Sequence, residues 1–449
     1  MGDREMLLTE RESREIAHKI LKQVKADDAQ VSVNSDKTSH LRFARNAFLT
    51  SGTTTERSAS VTVWIEGKRG GSGTSDLSEA GLKAMADQAE KVAAISPVDR
   101  EYLPTLGAQK YKPVDAFAAA NAEVAYDARA KRIAEILESS EKRKVISAGF
   151  HESRARSSAF ATKNGNFGYE RESVASLSVT ARTPDGTSSG YFQRSSVDLN
   201  DLDTKHVAQQ SIEKCLAGRS PKAMEPGEYT VVLEAQAVGD LIGRLAFQFD
   251  ARSAEEGRSP FSASGGKTKL GEKMFDERIS IYSDPWNERV PGSQSAQGGI
   301  PAEKIYLVRD GVVENLIYSR FWAKKSGKKP TPGPVNMIFG SSAMPSTTAQ
   351  MISSTKRGLL ISRFWYIRST DPRTASVTGL TRDGVWLIED GKIVHPVNNF
   401  RFNQSMISML AGGNIELIGE PERIGVGNAS LLPAMKLKSF NFTSRSEAV

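Results

Sequence analysis

The chain has 449 residues, more than one ordinary core holds, so two or three domains are expected. Hydrophobic residues make up 39% and charged residues 25%, the balance of globular material, and no apolar run reaches the ~20 residues a membrane helix needs. A net charge of +7 is spread along the chain, and the single cysteine, Cys215, excludes an internal disulfide framework and fits a reducing cytoplasm.

The opening MGDREM mixes acids and bases and lacks the Ser or Thr of a myristoylation signal, so neither a secretory leader nor a lipid anchor is expected. Residues 9–25 have helical period, with Ile16, Ile20, Leu21 and Val24 on the inward face. Strands follow at AQVSV, LRFARNAFLT and SASVTVWIEG, the last alternating through Val61, Val63 and Ile65. GKRGGSGTS reads as a Gly-rich turn. A helix opens at Asp76, with Glu79 in capping-box position, and runs to Ile95. The proline-bearing stretch ISPVDREYLPTLGAQKYKP reads as a connector.

A second pass of the same pattern begins with a charged helix over 127–142. The strands and hairpins of KVISAGFHE, SSAFATKNGNFGYERES and VASLSVTARTPDG follow, and a helix closes the segment at Gly218. ARNAFLTSGTTTERSASVTVWI and ARSSAFATKNGNFGYERESVASLSVTA share a strand ending in Ala-Phe, a polar turn, a Glu-Arg pair and a Ser/Val strand. The pair reads either as a duplicated module or as chance likeness of two hairpins.

RSPKAMEPGEY marks a boundary near residue 225. Beyond it, VVLEAQAVGDLIGRLAFQF predicts a strand and then a buried helix. Val238, Leu241, Ile242, Leu245 and Phe249 form that helix's apolar face. Asp-Gly pairs at 310–311, 383–384 and 390–391 sit between β-branched runs, the strongest short hairpin signal. The fold class is therefore α+β: an N-terminal region of helices and antiparallel hairpins, then a mostly antiparallel β domain, barrel-like or curled. Domains are expected at 1–110, 111–222 and 226–449.

Residues able to carry chemistry are sparse. The five histidines, at 18, 40, 151, 206 and 395, are too far apart for a helical metal motif, and none stands at ligand spacing from Cys215. Cys215 itself reads as a small buried hydrophobe. FGSSAMPSTTAQMISS offers hydroxyls but no nucleophile elbow, and KRGGSGTS lacks the Gly-Lys-Ser/Thr of a phosphate loop. The lysines of AKKSGKKP, residues 323–330, have no interleaved aromatics and read as a solvated loop, so nucleic acid is not an expected partner. RFWYIR (363–368) and NNFRF (398–402) set aromatics beside arginines, the types enriched at interfaces. Phe364, Trp365, Tyr366, Arg368, Asn398, Asn399 and Arg401 either line a cleft or interface or fill the sheet's core.

TGLTRDGVWLIEDGKIVHPVNNFRFNQS, the preceding GLLISRFWYIRSTDPRT, and PGEYTVVLEAQAVGDLIGRLA resemble the TldD/PmbA proteins, also called modulators of DNA gyrase. That resemblance implies a cytoplasmic metallopeptidase complex that degrades or matures peptides. TldD-type members carry a zinc-binding His-Glu-x-x-x-His on the helix after this strand and a downstream cysteine ligand. PmbA or TldE-type members lack them and pair with a TldD chain.

The corresponding window here is GRLAFQ: Gly243 and Gln248 stand where the histidines would be, and Arg244 where the general-base Glu would be. Glycine has no ligand atom, an amide is a poor zinc ligand, and a guanidinium does not take a proton from water. No cysteine follows Cys215. The chain is therefore expected to be a non-catalytic TldE-like subunit without a cofactor of its own, zinc belonging to a TldD-like partner. Arg244 either binds a carboxylate or lies on a solvent face. A peptide- or protein-binding homodimer without hydrolysis and a peptidase with an unrecognised site are the alternatives.

Overall fold

Thr9 caps the first helix: its hydroxyl accepts from the Glu12 amide, and Glu12 reaches back to the Thr9 amide. This reciprocal cap starts α1 (Glu10–Gln23), whose Ser13, Ala17 and Ile20 are buried. The computed structural model describes residues 7–427 and 429–446, so the reading of MGDREM lies outside the described residues.

β1 (Asp28–Ala44), β2 (Ala47–Ile65), β3 (Lys68–Thr74) and α2 (Glu79–Ile95) follow; then, after the connector, α3 (Ala120–Glu123), α4 (Tyr126–Lys142), β4 (Ile146–Thr162), β5 (Phe167–Arg182), β6 (Ser189–Ser196) and α5 (Thr204–Ala217). The six strands make one antiparallel sheet in the order β3-β2-β1-β4-β5-β6. The succession helix, three-stranded meander, helix thus occurs twice, about the central β1–β4 pair. Each outer strand admits its helix at a glycine. A Cβ on Gly70 of β3 would stand 2.1 Å from the Ala89 carbonyl oxygen of α2, and one on Gly190 of β6 would stand 2.2 Å from the Ser211 carbonyl oxygen of α5.

Three local readings change. The Gly-rich stretch is strand β3, and the turn before it is Glu66-Gly67, both left-handed. The cap of α2 is Ser78, whose hydroxyl accepts from the Gly81 amide, rather than Asp76. The two Ala-Phe pairs occupy different places. Ala47-Phe48 opens β2 after the left-handed pair Arg45-Asn46, whereas Ala159-Phe160 lies in β4 before its turn. A two-residue turn with both φ positive matches strand twist, so the first hairpin closes earlier than its polar stretch suggests.

The C-terminal elements are β7 (Gly227–Leu233), α6 (Ala235–Ile242), α7 (Ala251–Glu255), β8 (Ile279–Ser283), β9 (Ser295–Ala296), β10 (Ile300–Pro301), β11 (Ile305–Arg309), β12 (Val312–Val313), α8 (Arg320–Ser326), β13 (Met337–Ser341), α9 (Thr348–Ser353), β14 (Arg357–Asp371), β15 (Ser376–Glu389), β16 (Lys392–Pro396), β17 (Phe400–Ser405), α10 (Met406–Leu410), β18 (Ile415–Ile424) and β19 (Ser430–Arg445). Pairing runs round a ring, β7–β14–β15–β17–β19 and back to β7. Among the strands of the described residues only β7–β14 and β13–β19 pair in parallel, so the fold is α+β with a curled, mostly antiparallel second half. Phe364, Phe400, Phe402, Phe440 and Phe442 fill the core of this sheet, with ring centroids 4.6–5.5 Å apart.

Asp310-Gly311 and Asp390-Gly391 turn hairpins, with φ of 47°, 79° and 47°, 77°. Asp383-Gly384 does not. It lies inside β15, where the register against β14 shifts, and it turns the Asp383 carboxylate inward. The AKKSGKKP stretch is half helix, ending α8 with Gly327 left-handed at its C-cap, where Lys324 and Lys325 suit the negative end of the helix dipole.

Candidate functional site

The strand β7 delivers the chain into α6, and α6 is shorter than its apolar period suggests. Val238, Leu241, Ile242, Leu245 and Phe249 are all buried, but the helix ends at Ile242. From there Arg244 and Leu245 donate to the carbonyls three residues back, at 3.1 and 2.8 Å, and a 3-10 turn covers Ala246–Phe249. The tighter winding keeps Leu245 and Phe249 on the core side. It leaves Gly243, Arg244 and Phe247 exposed and Gln248 half-buried.

Opposite the end of α6, β14 bulges. Its register against β15 slips between Trp365 and Arg368, and Tyr366 takes a left-handed φ of 53°. A bulge re-aims side chains. Phe364 points into the core, Trp365 is 41% and Tyr366 66% exposed, and Arg368 is exposed. Asp240, Arg244, Arg363, Trp365, Tyr366 and Arg368 thereby line one open cleft of about 360 Å³.

Asp240 fixes the bulge to the helix. Its Oδ2 accepts from the Phe364 amide at 2.8 Å and its Oδ1 from Gln236 Nε2, one turn earlier, at 2.8 Å. Burial pushes its carboxyl up to about 6, against the opposing pull of the Phe364 amide, Arg363 and Gln236. The Arg363 guanidinium lies 3.9 Å from the Tyr191 ring centroid and 5.0 Å from that of Trp365. It also stands 3.5 Å from Asp383 Oδ2, while Asp383 Oδ1 accepts from the Ser189 hydroxyl at 2.6 Å. Burial raises the Tyr191 phenol to about 12, so it stays neutral under Arg363. Arg382 also approaches Trp365, at 5.1 Å from the ring centroid. Among the described residues, neither the Arg244 nor the Arg368 side chain has a hydrogen-bond or ion-pair partner.

The sequence-selected residues thus divide. Arg244 meets Trp365, Tyr366 and Arg368 in the cleft, Phe364 belongs to the core, and Gly243 and Gln248 flank the helix break. Asn398 and Asn399 line a separate cavity of about 80 Å³ with Ser188, Ser189 and Asp383. Arg401 is exposed on β17, paired with Leu380 of β15. Sequence reasoning missed Asp240, Asp383, Ser189 and Tyr191. The polar pair Gln236 and Asp240, four apart on an otherwise apolar helix, was a visible signal. The contacts across β6, β14 and β15 had none.

The residues present do not fit a zinc ion. Gly243 offers no donor, Arg244 brings positive charge, and both oxygens of Asp240 are already engaged. Among the described residues, no three His, Cys, Asp or Glu side chains gather as a metal requires. Cys215 is fully buried on α5, its thiol raised to about 11 by burial, with Sγ 3.8 Å from the Ser188 carbonyl oxygen. What the cleft offers is two free guanidiniums beside exposed aromatic faces. That set forks onto carboxylates and stacks on flat or apolar groups.

Residues 226–444 match the family described as the PmbA/TldA metallopeptidase C-terminal domain, and residues 29–93 match PmbA/TldA metallopeptidase domain 1. A protein called metalloprotease from Methanothermobacter thermautotrophicus is 24% identical over 294 residues, 60% of this chain and 62% of its own length. An uncharacterised protein of Methanocaldococcus jannaschii is 28% identical over 162 residues, 36% of this chain and 37% of its own. The chain thus matches less than two thirds of either relative's length. In three dimensions it is similar to TldE from Thermococcus kodakarensis, with a TM-score of 0.83 at 16% identity over 96% of this chain and 99% of that one. At that identity the likeness is one of fold.

Proposed function

The chain belongs to the PmbA/TldD metallopeptidase family, and from that premise we propose that it is a non-catalytic, TldE-like subunit. In this reading it pairs, in the cytoplasm, with a zinc-bearing TldD-like chain and contributes the cleft between α6 and the β14 bulge to peptide binding. The observation that carries the reading is the state of the 243–248 window. At the place of a zinc helix stands a helix end with no ligand set, opening onto Arg244, Arg368, Trp365 and Tyr366.

The chemistry assigned to this chain is binding and orientation. Arg244 and Arg368 fork onto a peptide's C-terminal or side-chain carboxylate while Trp365 and Tyr366 stack on adjoining residues. The hydrolytic step belongs to the partner's metal. No membrane or nucleic-acid partner is part of the reading; among the described residues no helix is long and apolar enough to cross a membrane.

The test is binding of a labelled peptide with a free C-terminus and of its C-amidated twin, with and without a TldD-type chain. Hydrolysis only in the mixture is expected, together with weaker binding of the amidated peptide. Arg244→Ala with Arg368→Ala should weaken the free-acid peptide about tenfold or more, the worth of a lost charged hydrogen-bond pair. Hydrolysis by this chain alone would overturn the non-catalytic assignment. Equal binding of both peptides would remove the cleft's role.

A further inference from the structure

Arg363 lines the cleft and is only 9% exposed, yet most of its donors are unused. Among the described residues its side chain makes one hydrogen bond, from Nη1 to Asp383 Oδ2 at 3.5 Å, and its buried Nε makes none. That bond is long for a charged pair. Asp383 makes its shorter contact with the Ser189 hydroxyl, at 2.6 Å, and shares Oδ2 with Arg382 Nε, at 3.7 Å. The Tyr191 ring, its centroid 3.9 Å away, backs the guanidinium without neutralising it. A guanidinium buried in this way is destabilising unless an anion completes its hydrogen bonds.

The cleft has an excess of charge as well as of donors. Arg244, Arg363 and Arg368 line it and Arg382 stands against Trp365, while the acids beside them are Asp240 and Asp383. Asp240 already accepts from the Phe364 amide and Gln236, and Asp383 lies between Arg363 and Arg382. Four guanidiniums against two carboxylates leave two positive charges, and one ligand carboxylate balances only one of them.

We infer that the cleft selects peptides ending in Asp or Glu, with Arg244 and Arg368 taking the terminal carboxylate and Arg363 the side-chain carboxylate of that last residue. The inference rests on the reading of the cleft as a peptide site and adds which peptides it takes. The bulge separates Arg363 from Arg368 along β14, which gives two positions for an anion rather than one. A cleft of about 360 Å³ has room for the end of a chain and little more, so both carboxylates belong to one terminal residue. Arg363 is the anchor suited to selection. Its planar fork is held between the Tyr191 and Trp365 rings, and its burial strengthens a charged pair. Tyr191 and Ser189 both belong to β6, so the N-terminal sheet takes part in the choice of peptide.

The test titrates four labelled peptides of one common body into the full chain, ending in Glu, Gln, Glu-amide and Gln-amide. The free Glu end should bind tightest, and removing either carboxylate should weaken binding about tenfold. Arg363→Gln should abolish the preference for Glu over Gln and keep that for acid over amide. Arg244→Ala with Arg368→Ala should do the reverse, and a preference retained in each variant shows that its cleft is folded. Equal binding of the Glu and Gln ends by wild type, both tighter than their amides, would overturn the inference and leave the carboxylate reading of the cleft standing. Equal binding of all four would remove that reading too. A preference for Glu over Gln that survives in Arg363→Gln would overturn the role given to Arg363.

Discussion

Asp240 is where the energetics of the cleft concentrate. A carboxylate held among Val238, Leu241 and Ile242 is costly, yet its two hydrogen bonds tie the last turn of α6 to the bulge that presents Trp365 and Tyr366. Its folded value of about 6 lies above that of an ordinary aspartate. Between about pH 4 and 6 the folded protein therefore keeps a proton that the unfolded chain has released. Stability from this group falls as pH rises through that window and is level above it. Asp240→Asn keeps an oxygen for the Phe364 amide and removes the charge. Denaturant unfolding should show wild type losing on the order of 1–3 kcal/mol relative to the variant between pH 4 and pH 8. Parallel pH profiles for the two proteins would show that Asp240 is not the group responsible. The same residue explains a limit of the sequence reading. Arg244 and the 363–368 aromatics were each recognisable, but their meeting depends on a helix that stops at Ile242 and a left-handed Tyr366. Gly243 at the C-cap was a local mark for the first, whereas no glycine or proline marks the bulge at Tyr366.

Elements recur about the β1–β4 pair, and two glycines hold the arrangement together. Ala89 and Ala93 of α2 approach Gly70 as Ser211 and Cys215 of α5 approach Gly190, each helix presenting small residues four apart to the bare backbone of an edge strand. A methyl at either glycine meets backbone atoms at 2.4 Å or less, so the helix itself must move. Gly70→Ala and Gly190→Ala should each cost about 1–3 kcal/mol in chemical denaturation, the range of overpacked cores. Gly73→Ala, whose new methyl would meet nothing nearer than 3.5 Å, should cost well under that. Equal stability of all three variants would mean that helix and strand separate freely there. We propose on this basis that residues up to about 222 form two related modules, with a boundary near 225. Periodicity made the helices and the Asp-Gly hairpins at 310–311 and 390–391 legible. It hid the length of β1 and β2, because their middle residues alternate polar with half-buried polar rather than polar with apolar. The Asp383-Gly384 pair carried a true signal for left-handed backbone, and only pairing across β14 decides that such a pair is a bulge and not a turn.

At the scale of the molecule, the ring β7–β14–β15–β17–β19 positions the end of α6 against β14 whatever residues occupy it. Buried Val231, Leu233, Leu359 and Ile361 bring the β7 and β14 backbones together, and the Phe cluster fills the core beside them. Metal chemistry is thus separable from the fold: the scaffold stands on apolar burial, and the ligands of a zinc site are surface additions to it. Two consequences can be measured. On the proposed reading, purified chain should carry no stoichiometric zinc by elemental analysis, and a chelator should leave its melting temperature unchanged, the result expected where no bound metal adds to folding stability. Installing Gly243→His, Arg244→Glu and Gln248→His together should still leave zinc unbound at micromolar metal. Position 243 is the C-cap of α6 and position 248 lies in the 3-10 turn beyond it, not one turn apart on a continuous helix, and no cysteine follows Cys215 to complete the set. One zinc per wild-type chain would overturn the non-catalytic assignment. Tight zinc binding by the triple variant would show that the break straightens once Gly243 is replaced, which makes the loss of ligands, and not the geometry of α6, the whole difference from a catalytic chain.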